Sequence, residues 1–246
     1  MIHSKRGLVL VGVITLVVAL VSLFPARVAV QWFAPAEVAI SGVQGTAWSG
    51  SASEVSVAGL YLQELEWSIQ PLRLFTGAFS YTVSAKPVSG FVDSSVSVGL
   101  GGSVTLTDLN AALPLALFAD ISGIRGLQGN GSFQFERLEI VDGLAVVASG
   151  VMQVGDLVVP IIGRDSLGGY QAEFFTQNNG ISASIEDTDG VLDLAGSLQI
   201  KSDRSFEFIA QVVVKPETPE SVRRQLRFLP PANDRGQQEL RLAGIL

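Results

Sequence analysis

The sequence predicts a mainly β protein, built as an antiparallel β-sandwich or as a single curled sheet, with one transmembrane helix before it and a short helix near the C-terminus. Three observations support this fold class. One long apolar run stands near the start of the chain, apolar and polar residues alternate through most of the remainder, and glycine-containing turn signals separate the alternating runs. Such alternation gives a strand one apolar and one polar face, which is typical of antiparallel sheets.

The apolar run covers residues 8–24, in which every residue is apolar, Gly, Thr or Ser. A run of about 17 residues is at the short end of what spans a bilayer as a helix. Lys5 and Arg6 precede the run, and the positive-inside rule therefore places the N-terminus in the cytoplasm. We expect residues 1–7 to be cytoplasmic, residues 8–26 to form an inner-membrane anchor, and residues 27–246 to form a periplasmic β-rich domain.

A cleaved signal peptide is the competing interpretation of this run, because signal peptides also join basic residues to an apolar stretch. Signal peptidase requires small residues just before the cut and two positions earlier. Cleavage after Ala26 or Ala29 would place Phe24 or Arg27 at the earlier position. A retained anchor is therefore favoured.

The alternating runs predict the strands, and the Asn-Gly, Asp-Gly and Gly-Gly pairs predict tight hairpins between them, because these residues adopt positive φ angles. The clearest runs are residues 64–70, 79–86, 103–107, 181–186 and 206–214, and the predicted turns lie at residues 101–102, 130–131, 142–143, 179–180 and 189–190.

Two stretches interrupt the strand pattern. Residues 108–119 are rich in Ala and Leu and predict a short irregular helix. Residues 218–229 predict a better helix, in which Thr218 caps the N-terminus, Pro219 takes the first position and an apolar stripe follows. Residues 238–242 then predict a final strand that returns to the sheet.

Composition excludes several classes of function. The net charge of −7 disfavours nucleic-acid binding, because an acidic surface repels phosphates. The chain has no Cys, and its one His is His3, ahead of the apolar run. The β-rich domain therefore has no thiol nucleophile, no Ser-His-Asp triad and no zinc site built on His or Cys. We expect neither an enzyme nor a bound cofactor or metal.

Two motifs have weak chemical interpretations. The glycine-rich residues 126–131 lack the strand-then-helix context of a dinucleotide loop, so they favour a turn. Asp187, Asp189 and Asp193 form an acidic cluster, but a calcium loop requires further oxygen ligands and a terminal Glu. A solvated turn is the better interpretation of that cluster.

Three sets of residues are candidates for a structural or binding role. Trp48 and Trp67 predict packing anchors at a corner of the sheet, with direct partner contact as the alternative. A basic helix face predicts a solvated surface, with docking to an acidic partner or lipid head group as the alternative; it comprises Arg223, Arg224 and Arg227. If the sheet curls without closing as a sandwich, inward aromatics line a groove for an acyl chain or a partner strand. These aromatics are Phe79, Tyr81, Phe133, Phe135, Phe206 and Phe208.

Two short motifs carry a resemblance to a known family. Gly-Thr-Ala-Trp-Ser-Gly at residues 45–50 and Trp-Ser-Ile-Gln-Pro-Leu-Arg-Leu-Phe-Thr-Gly at residues 67–77 resemble segments of protein N of the type II (general) secretion pathway. Residues 198–216, 218–229 and 234–246 are similar to that family's late hairpin, closing helix and terminal strand.

The resemblance implies an inner-membrane accessory that contacts other components of the machine exporting folded proteins across the outer membrane. It implies no catalytic residues. The second motif is also similar to repeats of AsmA-like envelope proteins, which implies lipid binding or lipid transfer in the periplasm as the alternative function.

Overall fold

The computed structural model describes residues 2–33, 38–57, 60–71, 79–87, 89–99, 102–119, 123–177 and 180–245. Two helices come first, α1 (Ile2–Ser22) and α2 (Ala26–Phe33). Among the described residues, no helix meets the length and apolarity that mark a candidate membrane span. Pro25 separates the two helices, which fits the place of Pro at the start of a helix rather than within one.

The rest of the chain forms one antiparallel sheet of 14 strands rather than a sandwich. Each strand from β3 to β14 pairs with the next along the chain, β1 pairs with β3 at one end, and β2 also pairs with β3. The strands are β1 (Val38–Ser41), β2 (Gln44–Gly45), β3 (Ser49–Val57), β4 (Leu60–Ile69), β5 (Phe79–Lys86), β6 (Phe91–Val98), β7 (Val104–Pro114), β8 (Gln128–Val141), β9 (Leu144–Val158), β10 (Tyr170–Gln177), β11 (Gly180–Asp187), β12 (Leu192–Lys201), β13 (Ser205–Val214) and β14 (Gln238–Ile245).

The predicted helix over residues 108–119 is wrong. Those residues continue β7 as far as Pro114, and only Leu115–Phe118 form a 3₁₀ turn. Because β6 and β8 pair with β7 on its two sides, inter-strand hydrogen bonds override the helical preference of Ala and Leu.

Three of the predicted turns can be compared directly with the strands around them. The turn at residues 189–190 does fall in the β11–β12 connection, although neither residue has a positive φ angle. Asp142 and Gly143 have φ angles of 50° and 75° and connect β8 to β9, which confirms that hairpin. The turn predicted at Asn130 is wrong, because Asn130 and Gly131 pair with both neighbours inside β8. Gly131 instead accommodates a close contact, since a Cβ there would lie 3.1 Å from Cδ2 of Leu115. Residues 101 and 179 lie outside the described residues, and so do the turns predicted there.

Bulges keep one face of the sheet apolar, and we call this the apolar face. Glu64 has a φ of 48° and lies at a register shift between β4 and β5. The extra residue lets Leu62 and Leu65, three positions apart, pack against the same cluster. A shift in β8 has the same effect on Phe135 and Leu138, which share another cluster.

The sheet curls, so that in its middle the apolar side chains of different strands pack against one another. Phe135, Ala148 and Ile181 form a buried cluster there, and Leu109 and Ile200 pack against it. These residues come from β7, β8, β9, β11 and β12, so strands that are not neighbours contribute to one cluster. β9 and β11 also contact each other directly although β10 lies between them, which a flat sheet with adjacent strands about 4.8 Å apart does not allow.

The N-terminal end of the apolar face is covered by α2. Ala26 at the start of α2 is 1% exposed and packs with Val43, Ala52 and Val55. Arg27 donates from Nε to the carbonyl oxygen of Val43 at 2.8 Å. The helix is therefore held to the sheet by both apolar and polar contacts.

The turn at residues 45–50 links α1 to this end of the sheet through hydrogen bonds from Trp48 and Trp67, the two residues predicted to be packing anchors. The half-buried Trp48 donates from Nε1 to the carbonyl oxygen of Val21, in the last turn of α1, at 2.7 Å. Trp67 packs on the N-terminal cluster and donates from Nε1 to the carbonyl oxygen of Thr46 at 3.2 Å. Each indole thus joins two segments, although neither is fully buried.

Gly50 permits the close packing of Trp67, and this generates a prediction. Gly50 lies opposite Trp67, and a Cβ there would lie 2.5 Å from Cζ2 of Trp67 and 2.3 Å from the carbonyl oxygen of Gln44. We expect Gly50→Ala to destabilise the protein by about 1–3 kcal/mol, because the indole and the backbone must both shift. Chemical unfolding of the full chain should therefore show a lower midpoint.

Gly155→Ala in β9 is the matched control. No heavy atom beyond its chain neighbours lies within 4 Å of a Cβ built on Gly155. The control should match or exceed the original protein's stability, since Ala restricts the unfolded chain by about 0.4–1 kcal/mol. Equal midpoints for the two variants would contradict the role of Gly50.

Candidate functional site beneath the C-terminal helix

The C-terminal end of the apolar face is covered by a short helix, α3 (Glu220–Leu226). The helix is shorter than predicted, and Pro219 rather than Thr218 is its N-cap residue. Thr218 does not cap it, because its Oγ1 accepts from the N–H of Lys215 and donates to the carbonyl oxygen of Val191. Val222 is 2% exposed and points towards the sheet.

An apolar cavity of about 380 Å³ lies between α3, the sheet and the segment joining β9 to β10. The volume lies within the range of about 300–1,000 Å³ that is typical of small-molecule sites. Only two lining side chains, those of Tyr170 and Gln225, have polar atoms. The lining comprises Leu157, Val159, Ile162, Leu167, Tyr170, Ile185, Leu192, Leu194, Phe208, Val212, Val222, Gln225, Leu226, Leu229 and Leu240.

The hydroxyl group of Tyr170 is engaged within the protein. It donates to the carbonyl oxygen of Leu167 at 3.1 Å. Burial, followed by the charges of Asp187 and Asp189, raises the pKa of Tyr170 to about 12. The phenol therefore stays neutral at ordinary pH, and its proton is already used in a hydrogen bond.

An ion pair attaches the segment before α3 to the β11–β12 connection. Lys215 donates from Nζ to Oδ2 of Asp187 at 2.6 Å and to the carbonyl oxygen of Gly190 at 2.9 Å. The other carboxylate oxygen of Asp187 accepts from the N–H of Leu194 at 2.9 Å. The two side chains are 27% and 13% exposed, so the pair is partly shielded from water.

The acidic cluster therefore has a structural partner at Asp187. Burial by itself raises the pKa of Asp187, but the hydrogen bonds from Lys215 and Leu194 outweigh it and lower this pKa overall. The same hydrogen bond raises the pKa of Lys215. Among the described residues, no three or more His, Asp or Glu side chains are grouped so that they could hold a metal ion.

The three arginines predicted as a docking surface differ in their surroundings. Arg223 donates from Nε to the carbonyl oxygen of Thr218 and from Nη2 to those of Lys215 and Pro216. Arg224 is exposed, and Arg227 lies 3.9 Å from Glu220 with 76% of its side chain exposed. Arg223 thus stabilises the entry into α3, whereas the other two face solvent.

The aromatics predicted to line a groove lie at separate positions along the apolar face. Phe133 and Phe135 belong to the middle of the sheet, where the ring of Phe135 lies 5.4 Å from that of Phe174. Tyr81 is half-buried in β5, where burial raises its pKa. The ring of Phe206 packs over Gly244, where a Cβ would lie 2.8 Å from Cε1 of the ring. Phe208 lines the cavity. The side chain of Phe79 lies outside the described residues.

Most of the cavity wall was not singled out from the sequence. Leu157 lies at the end of β9, and Val159, Ile162 and Leu167 follow in the connection to β10, in an apolar run that shows no alternation. Its one sequence signal is the sustained apolarity of residues 157–162 in a connection between strands, where polar residues are usual. None of the glycine-rich residues 126–131 lines this cavity, and residues 128–131 belong to β8, so the turn predicted over this stretch is wrong for those four residues.

These features define a class of protein: one long curled antiparallel sheet, preceded by two helices, whose apolar face is covered by its own curl and by short helical segments. The sequence model of the family described as type II secretion system (T2SS), protein N, matches residues 36–241. The type II secretion system protein N of Vibrio cholerae serotype O1 is 26% identical over 242 residues, which cover 90% of this chain and 91% of that protein. No solved structure matches the chain significantly.

The chain belongs to the type II secretion system protein N family. The resemblance read from residues 45–50 and 67–77 is thereby confirmed. The match begins before β1 and ends within β14, so it covers nearly the whole sheet.

The Lys215–Asp187 pair generates a pH-dependent prediction. Asp187 has a lowered pKa in the folded protein, so its contribution is present above its unfolded pKa and is lost as the pH falls through the folded value. Lys215 has a raised pKa, so its contribution is lost only as the pH rises through that value. We expect Lys215→Met to destabilise the protein by roughly 1–2 kcal/mol at pH 7, a value reduced for partial exposure.

The deficit should shrink as the pH falls below about 3.9, where Asp187 begins to protonate in the unfolded chain, and at still lower pH it protonates in the folded protein as well. Chemical unfolding at a series of pH values measures this difference. Lys86→Met is the control, because the side chains of Lys86 and its partner Glu64 are 73% and 68% exposed. A deficit at Lys215 that is equal at pH 3 and pH 7 would contradict the ion-pair explanation.

Proposed function

We propose that this chain is an inner-membrane component of the type II secretion machine. It acts by protein–protein contact during export of folded proteins across the outer membrane. The observation that carries this proposal is the family match over residues 36–241, supported by the similar length of the Vibrio cholerae relative.

The proposed role involves no catalysis. The only His of the chain is His3, and the chain contains no Cys. Asp187 forms an ion pair with Lys215 and does not line the cavity. Contact with partners is therefore favoured over chemistry on a substrate.

Membrane attachment through α1 is part of the proposal. The large apolar side chains of α1 between Leu8 and Val21 are 52% to 71% exposed. An apolar surface of this extent requires cover, and a lipid bilayer provides it. Lys5 and Arg6 favour the cytoplasmic side for the N-terminus, so the sheet would lie in the periplasm.

The absence of Cys permits a test of this topology on the full chain. We expect Asp234→Cys, in the exposed turn before β14, to react with a membrane-impermeant maleimide once the outer membrane is permeabilised. Ser4→Cys should react only after the inner membrane is opened. Labelling of Ser4→Cys before that step, or protection of Asp234→Cys, would contradict the proposed orientation.

The role in secretion has its own test. Deletion of the gene should cause folded secretion substrates to accumulate in the periplasm. A photo-crosslinking amino acid at Tyr61 or Phe175, which are 68% and 43% exposed, should crosslink to other machine components. Both residues lie on the polar face of the sheet, opposite the apolar face.

The same amino acid at Ala172, which is 6% exposed, is the control and should give no crosslink. The crosslinks should disappear in a strain that lacks the remaining machine genes. Unchanged secretion after deletion, together with crosslinks that persist in that strain, would refute the proposed role.

A further inference from the structure

The lining of the cavity beneath α3 favours a ligand without polar groups. Nearly all its side chains are aliphatic or aromatic, and the hydroxyl of Tyr170 is already hydrogen-bonded to Leu167. A peptide segment would bring backbone N–H and C=O groups into this space and leave most of them without partners, which is costly. An alkyl chain has no polar groups and meets no such cost.

The two segments that border the cavity also carry exposed apolar side chains. Ile161 is 74% exposed and precedes Ile162 of the lining in the chain, while Phe228 is 86% exposed and precedes Leu229 of the lining. Isolated exposed apolar residues are common, but here one stands on each segment that encloses an apolar cavity, which adds apolar surface for a ligand near the cavity.

The rim of the cavity also carries positive charge. Residues 159–167 and 219–229 together hold four arginines and two carboxylates, in a chain whose net charge is −7. Arg223 is engaged by backbone carbonyls, which leaves Arg164, Arg224 and Arg227 as the solvent-facing arginines of these segments. An anionic group at the mouth would be attracted to them.

The two rim segments are in direct contact. Ser221 of α3 donates from Oγ to Oδ2 of Asp165 at 3.2 Å. Arg164 adjoins Asp165 in the chain, and Arg224 lies three residues after Ser221. The contact therefore joins the two segments that carry the solvent-facing arginines.

We propose that the cavity beneath α3 holds an acyl chain of an anionic lipid, with the head group attracted to Arg164, Arg224 and Arg227 on the bordering segments. The apolar lining takes the chain, Ile161 and Phe228 add apolar surface nearby, and the arginines attract the phosphate. This lipid site is independent of the secretion role, because neither its geometry nor its test involves another machine component.

Photolabelling of the full chain tests the proposal. The protein is reconstituted in phosphatidylethanolamine vesicles containing phosphatidylglycerol with a diazirine on its acyl chain, and labelled peptides are mapped after irradiation. We expect labels on residues lining the cavity in addition to labels on α1. Labels on α1 act as an internal control for reconstitution, and their presence without cavity labels would overturn the proposal.

Filling the cavity should remove the label selectively. We expect Leu194→Trp and Leu226→Trp to reduce cavity labelling by about tenfold while α1 labelling is unchanged. Ser197→Trp is the matched control, because Ser197 is exposed on the opposite face of the same strand, β12. Equal labelling in Leu194→Trp and Ser197→Trp would contradict occupancy of the cavity.

The head-group part of the proposal has a separate measurement. Cavity labelling by diazirine phosphatidylglycerol should exceed that by diazirine phosphatidylcholine, and the combined change of Arg164, Arg224 and Arg227 to Gln should abolish the preference. Arg137→Gln is the control, because Arg137 lies in β8, outside the cavity lining, and its exposed side chain is paired with Glu139. Equal labelling by the two lipids in the original protein would overturn recognition of an anionic head group.

A polypeptide occupant would give a different result. A photo-crosslinking amino acid at Leu194 should crosslink to lipid in cells. A crosslink to another protein at that position would overturn the lipid proposal and leave the secretion role unaffected.

Discussion

A single sheet can leave only one of its faces in water, and the need to cover the other face shapes this protein. The cover differs along the sheet. Helix α2 covers the first strands, the curl of the sheet buries Phe135, Ala148 and Ile181 in the middle, and α3 covers the last strands. No second sheet supplies the core among the described residues, so each local cover must be attached to the sheet by its own contacts.

Bulges make the curl compatible with the sequence. A strand that passes through 14 residues without interruption would place residues three apart on opposite faces. At Glu64, and again between Phe135 and Leu138, one extra residue restores the apolar face and adds local twist. Each bulge therefore both bends the sheet and keeps the apolar residues on one face.

The period-two pattern correctly marked β4, β5, β7, β11 and β13, because it is a local consequence of one face being buried. It could not choose between a sandwich and a curled sheet, since inward aromatics such as Phe133 suit both. It failed at residues 108–119 because pairing with β6 and β8 is non-local and overrides the helical preference of Ala and Leu. The cavity was missed for a related reason, because its wall combines a connection near residue 160 with α3, which are distant in sequence.

The two ends of the sheet are covered by different means, and this difference bears on function. At the N-terminal end Ala26, only 1% exposed, fits closely against Ala52, and an apolar cluster fills the space beneath α2. At the C-terminal end α3 is held by polar contacts: Lys215, Thr218 and Arg223 bond to carboxylate and carbonyl groups at its entry, and Gln238 donates to the carbonyl oxygen of Leu226 at its end. Polar attachment at the edge fixes the position of a helix without requiring that the space beneath it be filled. The cover at this end can therefore be stable while enclosing a cavity, which close apolar packing of the kind found under α2 would eliminate.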